Sequence, residues 1–119
     1  MLTFSKIELG EGARGQVLQV MVATTMLGRM RGLLARPALS SGQAMLLPKC
    51  NMVHTVGMTY SIDIVFLRRD GLVLKVAPAV VPRRMRAHWR AHSVLELGAG
   101  EAARCAIVPG LLLPLEMLR

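Results

Sequence analysis

The stretch "IDIVFLRRDGLVLKV", residues 62–76, carries the clearest local signal in the chain. Ile62, Ile64 and Phe66 alternate with Asp63, Val65 and Leu67, a period of two that marks a β-strand with two mostly apolar faces. Asp70-Gly71 then reads as a two-residue hairpin turn, because Asp and Gly tolerate the positive φ such a turn demands. "LVLKV", residues 72–76, returns antiparallel. Pro78 and Pro82 each lack a backbone donor, so this second strand either lies at a sheet edge or has ended by then.

Immediately upstream, "CNMVHTVGMTYS" (50–61) places polar groups on an apolar run. In an extended chain Met52, His54, Val56 and Met58 share one face. A lone histidine in such a row reads as a core residue satisfied by a hydrogen bond, because burial disfavours its charged form. Asp63, in the middle of an apolar strand, must find donors or protonate. The natural donors are His54, Thr55, an arginine of "GRMR" (28–31) or backbone amides. The expectation is that Asp63 anchors the segment around His54 and Thr55, fixing the bend that Gly57 permits.

A chemical reading of the same residues makes His54 a general base oriented by Asp63, with Cys50 or Thr55 as nucleophile in a hydrolase-like site. Such a triad needs contacts of ~3 Å. Cys50 precedes His54 by four residues, ~13 Å along an extended chain, and Thr55 faces the opposite way from its neighbour. No glycine-framed serine elbow or HExxH helix is present. No catalytic residue is therefore assigned. For a metal, His88 and His92 have helical i,i+4 spacing, with His54, Asp63 or Glu96 to join them, but four nearby arginines oppose a cation. Neither a metal nor a cofactor is expected.

Working outward, "FSKIEL" (4–9) and "QVLQVMV" (16–22) read as strands around the turn "GEGARG" (10–15). Thr24 or Thr25 can cap a helix that places Met26, Leu27, Met30, Leu33 and Leu34 on one face, ending near Arg36 before Pro37. Gly28 and Gly32 would let a strand approach that helix. "AMLL" (44–47), "VLEL" (94–97) and "LLLPLE" (111–116) read as further strands, and "GAGEAARC" (98–105) as a turn and short helix. The expected fold is a single α+β domain over residues 1–119. It is a β-rich, mostly antiparallel sheet, curled or barrel-like, with one principal helix and a short C-terminal one.

The totals agree with one domain of 119 residues. Apolar residues reach 53% but aromatics only 3%, so the core is aliphatic, with nine methionines as pliable filler. No apolar run approaches the ~18 residues of a spanning helix, and the start lacks the apolar centre of a secretory signal. The expectation is a cytoplasmic monomer without a transmembrane segment. Cys50 and Cys105 form no CxxC pair and read as free buried thiols.

Net charge is +8, and no acid stands between Asp70 and Glu96. Within that gap "RRMRAHWRAH" (83–92) holds Arg83, Arg84, Arg86 and Arg90 around Trp89, the single tryptophan. It reads as a solvated surface loop that attracts an acidic protein or another polyanion. Single-stranded nucleic acid is the alternative, with Trp89 as a stacking ring, although so few other aromatics make a multi-base platform hard to build. The expected function is a binding or accessory module. Its ligand candidates are His54, Thr55, Met58, Asp63 and Trp89, beside the basic patch of Arg83, Arg84, Arg86 and Arg90.

Several stretches, in order, resemble one family. They are "RMRGLLARPAL" (29–39), "GQAMLL" (42–47), "CNMVHTVGMTYSIDIVFLRRDGLVLKV" (50–76), "VLELGAG" (94–100) and "ARCAIVPG" (103–110). They look like the DUF192 family, a bacterial and archaeal group, over about Met26 to Gly110. The most specific part is the HTxGM…IDIVFL…DG core, carried by His54, Thr55, Gly57, Met58, Ile62, Asp63, Phe66, Asp70 and Gly71. The resemblance implies a compact, β-rich single domain and no established reaction. Three positions depart from the family pattern. Ala35 stands where a glycine is usual and Gln43 where an acid is usual. Leu111 follows Gly110 where the family has an aspartate, which removes one carboxylate from any site at that turn.

Overall fold

The computed structural model describes residues 2–9, 15–23 and 38–115. Eight strands lie among them: β1 (Leu2–Glu8), β2 (Val17–Ala23), β3 (Gln43–Pro48), β4 (Met52–His54), β5 (Ile62–Leu67), β6 (Val73–Val80), β7 (Met85–Ala87) and β8 (Ser93–Gly98). Six form one sheet in the order β1-β2-β3-β8-β5-β6, and β4 pairs with β7 in a separate two-stranded ribbon. Every pairing is antiparallel except β2 with β3.

The expected architecture is corrected in two respects. The sheet is open, with β1 and β6 as its edges, and does not close into a barrel. Among the described residues the helix content is α1 (Glu101–Arg104), a single turn, so no principal helix stands there. The helix expected from Thr24 or Thr25 to Arg36 lies outside the described residues. The ribbon strand β7 and the extra length of β6 also exceed the expected pattern. The segment 111–115 contributes only an isolated bridge, Leu72 to Leu112, where a full strand was expected.

An open sheet with both faces apolar must be covered twice. On one face Val65, Leu67, Leu95, Leu97, Val20 and Leu18 meet Ala102, Cys105, Ile107, Leu113 and Leu115 from the C-terminal segment. On the other face Met45, Ile62, Ile64, Phe66 and Val94 meet Leu39 and Val53, with Cys50, Met58, Tyr60 and Ala91 packed against them. All six residues of β5 are buried, as its doubly apolar alternation implies. Removing this surface from water is the main force holding the layers together.

The hairpin after β5 is shifted by one residue from the expected turn. The Gly71 N–H donates to the Arg68 carbonyl at 2.9 Å, so Arg69 and Asp70 occupy the turn's centre. Gly71 follows at φ +96°, in the three-residue loop that pairs a turn with a left-handed glycine. A side chain there would strike the backbone of Leu113, which crosses directly above. Beyond Pro78 the strand β6 continues, because its outer edge has no partner for the missing donor.

Candidate functional site

Asp63 is 1% exposed and fully committed. Its Oδ1 accepts the Ala79 N–H at 2.8 Å, and its Oδ2 accepts the Ala102 N–H at 2.9 Å. Each bond answers a local need. The β5–β6 register shifts between Ile62 and Ile64, which leaves Ala79, at φ +47°, without a ladder partner. Helix α1 begins at Gly100, which has no side chain to cap it, so a carboxylate from β5 takes the cap's role toward Ala102. Asp63 thus ties a bulge and a helix start to the sheet. It does not anchor the segment around His54, as the sequence led one to expect.

That segment is held by Thr55, which is completely buried. The Thr55 hydroxyl donates to the Val81 carbonyl at 2.8 Å and accepts the Arg84 N–H at 2.9 Å. The backbone N–H of Thr55 donates to the Arg84 carbonyl at 2.8 Å, and the Thr55 carbonyl accepts from Arg83 and Met58. Gly57, at φ +88°, closes the turn between them. His54 points the other way and is exposed, which corrects its expected place in the core. The parity of the strand is as expected, with Val53 and Thr55 inward and Met52 and His54 outward, but the outward face is the wet one. The structure does not bring His54 and Asp63 together, since both Asp63 oxygens are taken by backbone amides on the opposite side of β5.

The outer face of the ribbon collects the remaining candidates. Met52 pairs with Ala87 and His54 with Met85, all four exposed. Met85 is 59% exposed, and Val56 and Val81 at the ribbon's end are exposed too. Trp89 is 84% exposed, with the Arg90 guanidinium 5.7 Å from its ring centre. Arg83 and Arg84 are exposed and Arg86 half-buried. Among the described residues the ion pairs are Arg68–Asp70 and Arg104–Glu101, so the four arginines of this segment have no carboxylate partner there. The segment is more structured than a solvated loop. The His88 N–H donates to the Asn51 carbonyl, the His92 N–H donates to the Leu67 carbonyl, the His92 carbonyl accepts the Cys50 N–H, and the His88 ring leans on Phe66 at 6.1 Å. Met58 is half-buried against the second core and does not join the exposed face.

Glu96, in the sequence a weak metal-ligand candidate, is with Asp63 one of two buried carboxyl groups among the described residues. It is 4% exposed on β8. Its cross-strand neighbours are Met45 on β3 and Ile64 on β5, which continue outward to Met21 and Ala77. A carboxyl group thus sits at the centre of an apolar row. Among the described residues no donor hydrogen-bonds to it, and burial pushes it up to about 7. Burial, with a smaller contribution from the charge of Glu96, holds the Tyr60 phenol above its usual range. The signal that singled out Asp63, an acid within a doubly apolar strand, is equally present in "VLEL". Among the described residues no three His, Cys, Asp or Glu side chains converge on a common point for a metal.

The profile of DUF192, described as "Uncharacterized ACR", matches residues 7–114. No curated protein matches the chain. Two crystal structures share its fold. One is a protein of unknown function from Novosphingobium aromaticivorans DSM 12444, 24% identical, with a TM-score of 0.78 over 94% of this chain and 84% of that one. The other is a protein described as a proposed transcription regulator from Sinorhizobium meliloti 1021. It is also 24% identical, with a TM-score of 0.81 over 94% of this chain and 93% of that one. Among the described residues no helix is long and apolar enough to cross a membrane.

Proposed function

Since the chain belongs to the DUF192 family, whose description names no activity, we propose from its surface that it is a binding module and that the β4–β7 ribbon docks an acidic, partly apolar protein segment. One observation carries this reading. Met52, Val56, Met85 and Trp89 stand in water beside four arginines that have no carboxylate partner among the described residues, on a backbone that Thr55 clamps from below. Exposed apolar groups framed by charge are the usual anatomy of a protein contact, with the aromatic and the methionines as anchors. The arginines favour an acidic partner and speed its encounter. Nucleic acid uses the charge but has less use for the methionines, and a lone ring stacks one base.

Trp89, as the single tryptophan, reports directly on the test. Its emission is followed while an acidic amphipathic peptide of glutamate and leucine, polyglutamate, or a single-stranded oligonucleotide is added. The peptide is expected to shift the emission to the blue at the lowest concentration. Met85→Ala and Arg83→Glu should each weaken that binding by about tenfold. Tighter binding of the oligonucleotide, indifferent to Met85→Ala, would replace this reading with the nucleic-acid one.

A further inference from the structure

The outward face of the β4–β7 ribbon carries sulfur and nitrogen donors as well as apolar surface. Met52 and Met85 are 55% and 59% exposed there, and His54 is exposed beside them. The ladder sets their spacing. The Thr55 N–H donates to the Arg84 carbonyl and the His88 N–H to the Asn51 carbonyl, so Val53–Arg86 is the hydrogen-bonded pair between these bonds. His54–Met85 is therefore a non-hydrogen-bonded pair, the kind whose Cα atoms stand ~4.5 Å apart and whose side chains come closest. Met52 shares the strand and the face of His54 two residues away, ~7 Å along the chain. Its cross-strand neighbour is Ala87, whose small side chain leaves room for it to lean toward the other two. The flexible methionine thioether is suited to spanning such gaps.

We propose that Met52, His54 and Met85 form a site for a soft monovalent metal ion of the copper(I) class, held by two thioether sulfurs and one imidazole nitrogen. The donor set selects the ion. Thioethers favour soft ions over hard ones, and imidazole suits copper equally. Residues 50–61 and 71–95, which contain the ribbon, hold no acid, so they offer calcium or magnesium no carboxylate. A structural zinc site takes four ligands, and among the described residues no three His, Cys, Asp or Glu side chains gather for one. The arginines, which weigh against a divalent ion, are turned aside by strand parity. Arg84 and Arg86 alternate with Met85 and leave the chain on the opposite face. A single positive charge is also repelled half as strongly as a double one. The site does not rest on the peptide reading of the same face, since docking uses the apolar surface of the methionines and coordination uses their lone pairs.

Silver(I), a redox-stable counterpart of copper(I), is the probe, added as silver nitrate in chloride-free buffer to the whole chain with methionine methyl groups labelled for NMR. The half-buried Cys50 thiol would compete for it, so Cys50→Ser is the parent protein alongside the wild type. One equivalent is expected to bind saturably and to shift the Met52 and Met85 methyl signals, leaving those of the buried Met21 and Met45 in place. Met52→Leu, Met85→Leu and His54→Asn should each weaken binding at least about tenfold, and Arg83→Glu should not weaken it. Leucine keeps the apolar surface, so the two leucine variants should bind the acidic peptide as the parent does, which separates the two readings of this face. Four outcomes would each overturn the metal site. They are undiminished silver affinity in both leucine variants, silent Met52 and Met85 signals at saturation, silver binding that vanishes with Cys50→Ser, and tighter binding of zinc nitrate than of silver at these residues.

Discussion

Asp63 and Glu96 stand on adjacent strands, one residue out of register, and face opposite sides of one sheet. Both are nearly inaccessible to water. Asp63 receives two backbone N–H groups from distant parts of the chain, whereas Glu96 receives none from the described residues. Depth alone therefore does not tell how a buried acid is accommodated. What separates them is that Asp63 is held by two backbone N–H groups of the described residues, while burial pushes Glu96 toward its neutral form.

The largest expected effect tests the satisfied member. Asp63→Ala leaves the N–H groups of Ala79 and Ala102, the second of them buried, without their acceptor. Denaturant unfolding should show a loss of about 3 kcal/mol, roughly 10 °C in Tm for a domain this size. A variant melting within two degrees of the wild type would remove Asp63 from the architecture (about half a kcal/mol at most on the same scale).

Glu96 should behave in the opposite sense, and pH exposes it. The folded Glu96 is raised from 4.5 to about 7, so the folded protein holds this proton more tightly than the unfolded chain. Its contribution to stability is complete below about pH 4.5, is lost as pH rises toward 7, and changes no further above that. The loss amounts to about 3 kcal/mol. Glu96→Gln should therefore stabilise the protein by up to that amount near pH 8 and by little near pH 4.5. Parallel stability curves for the two proteins across this range would erase the contrast.

Two hydroxyl groups extend the same comparison at lower magnitude. Thr55 donates and accepts within its clamp, while the buried Ser93 hydroxyl has no hydrogen-bond partner. Thr55→Val should cost about 1.5 kcal/mol, with faster amide exchange at Arg84 as the local readout. Ser93→Ala should stay within about 0.5 kcal/mol of the wild type, or gain slightly, in the same unfolding assay. Equal losses for the two variants would show that hydrogen-bond satisfaction is not the quantity that matters.

Much of the scaffold was legible locally. The alternation of Ile62 to Leu67 announced a strand buried on both sides, and β5 is one. Pro78 required a strand that lies at an edge or has already ended, and β6 runs past it as one of the sheet's edges. The likeness to DUF192 was readable from the HTxGM…IDIVFL…DG core, and the family match covers residues 7–114. The site was read less well. His54 was assigned to the core because its row is apolar, yet Met52, His54 and Val56 form the outward face of a ribbon that nothing described covers. Glu96 passed almost unremarked, although its setting in "VLEL" matches that of Asp63 in "IDIVF".

By itself the sequence determined period and parity: which residues alternate, and that His54 and Thr55 point apart. These follow from the geometry of one strand and need no partner. Only the tertiary structure decided that β8 inserts between β3 and β5, that the sheet stays open, and that Asp63 finds its donors 16 and 39 residues away. The reason is physical. An apolar face states that it will be covered but not by what, and a buried acid states that it needs donors but not whether the rest of the chain brings them.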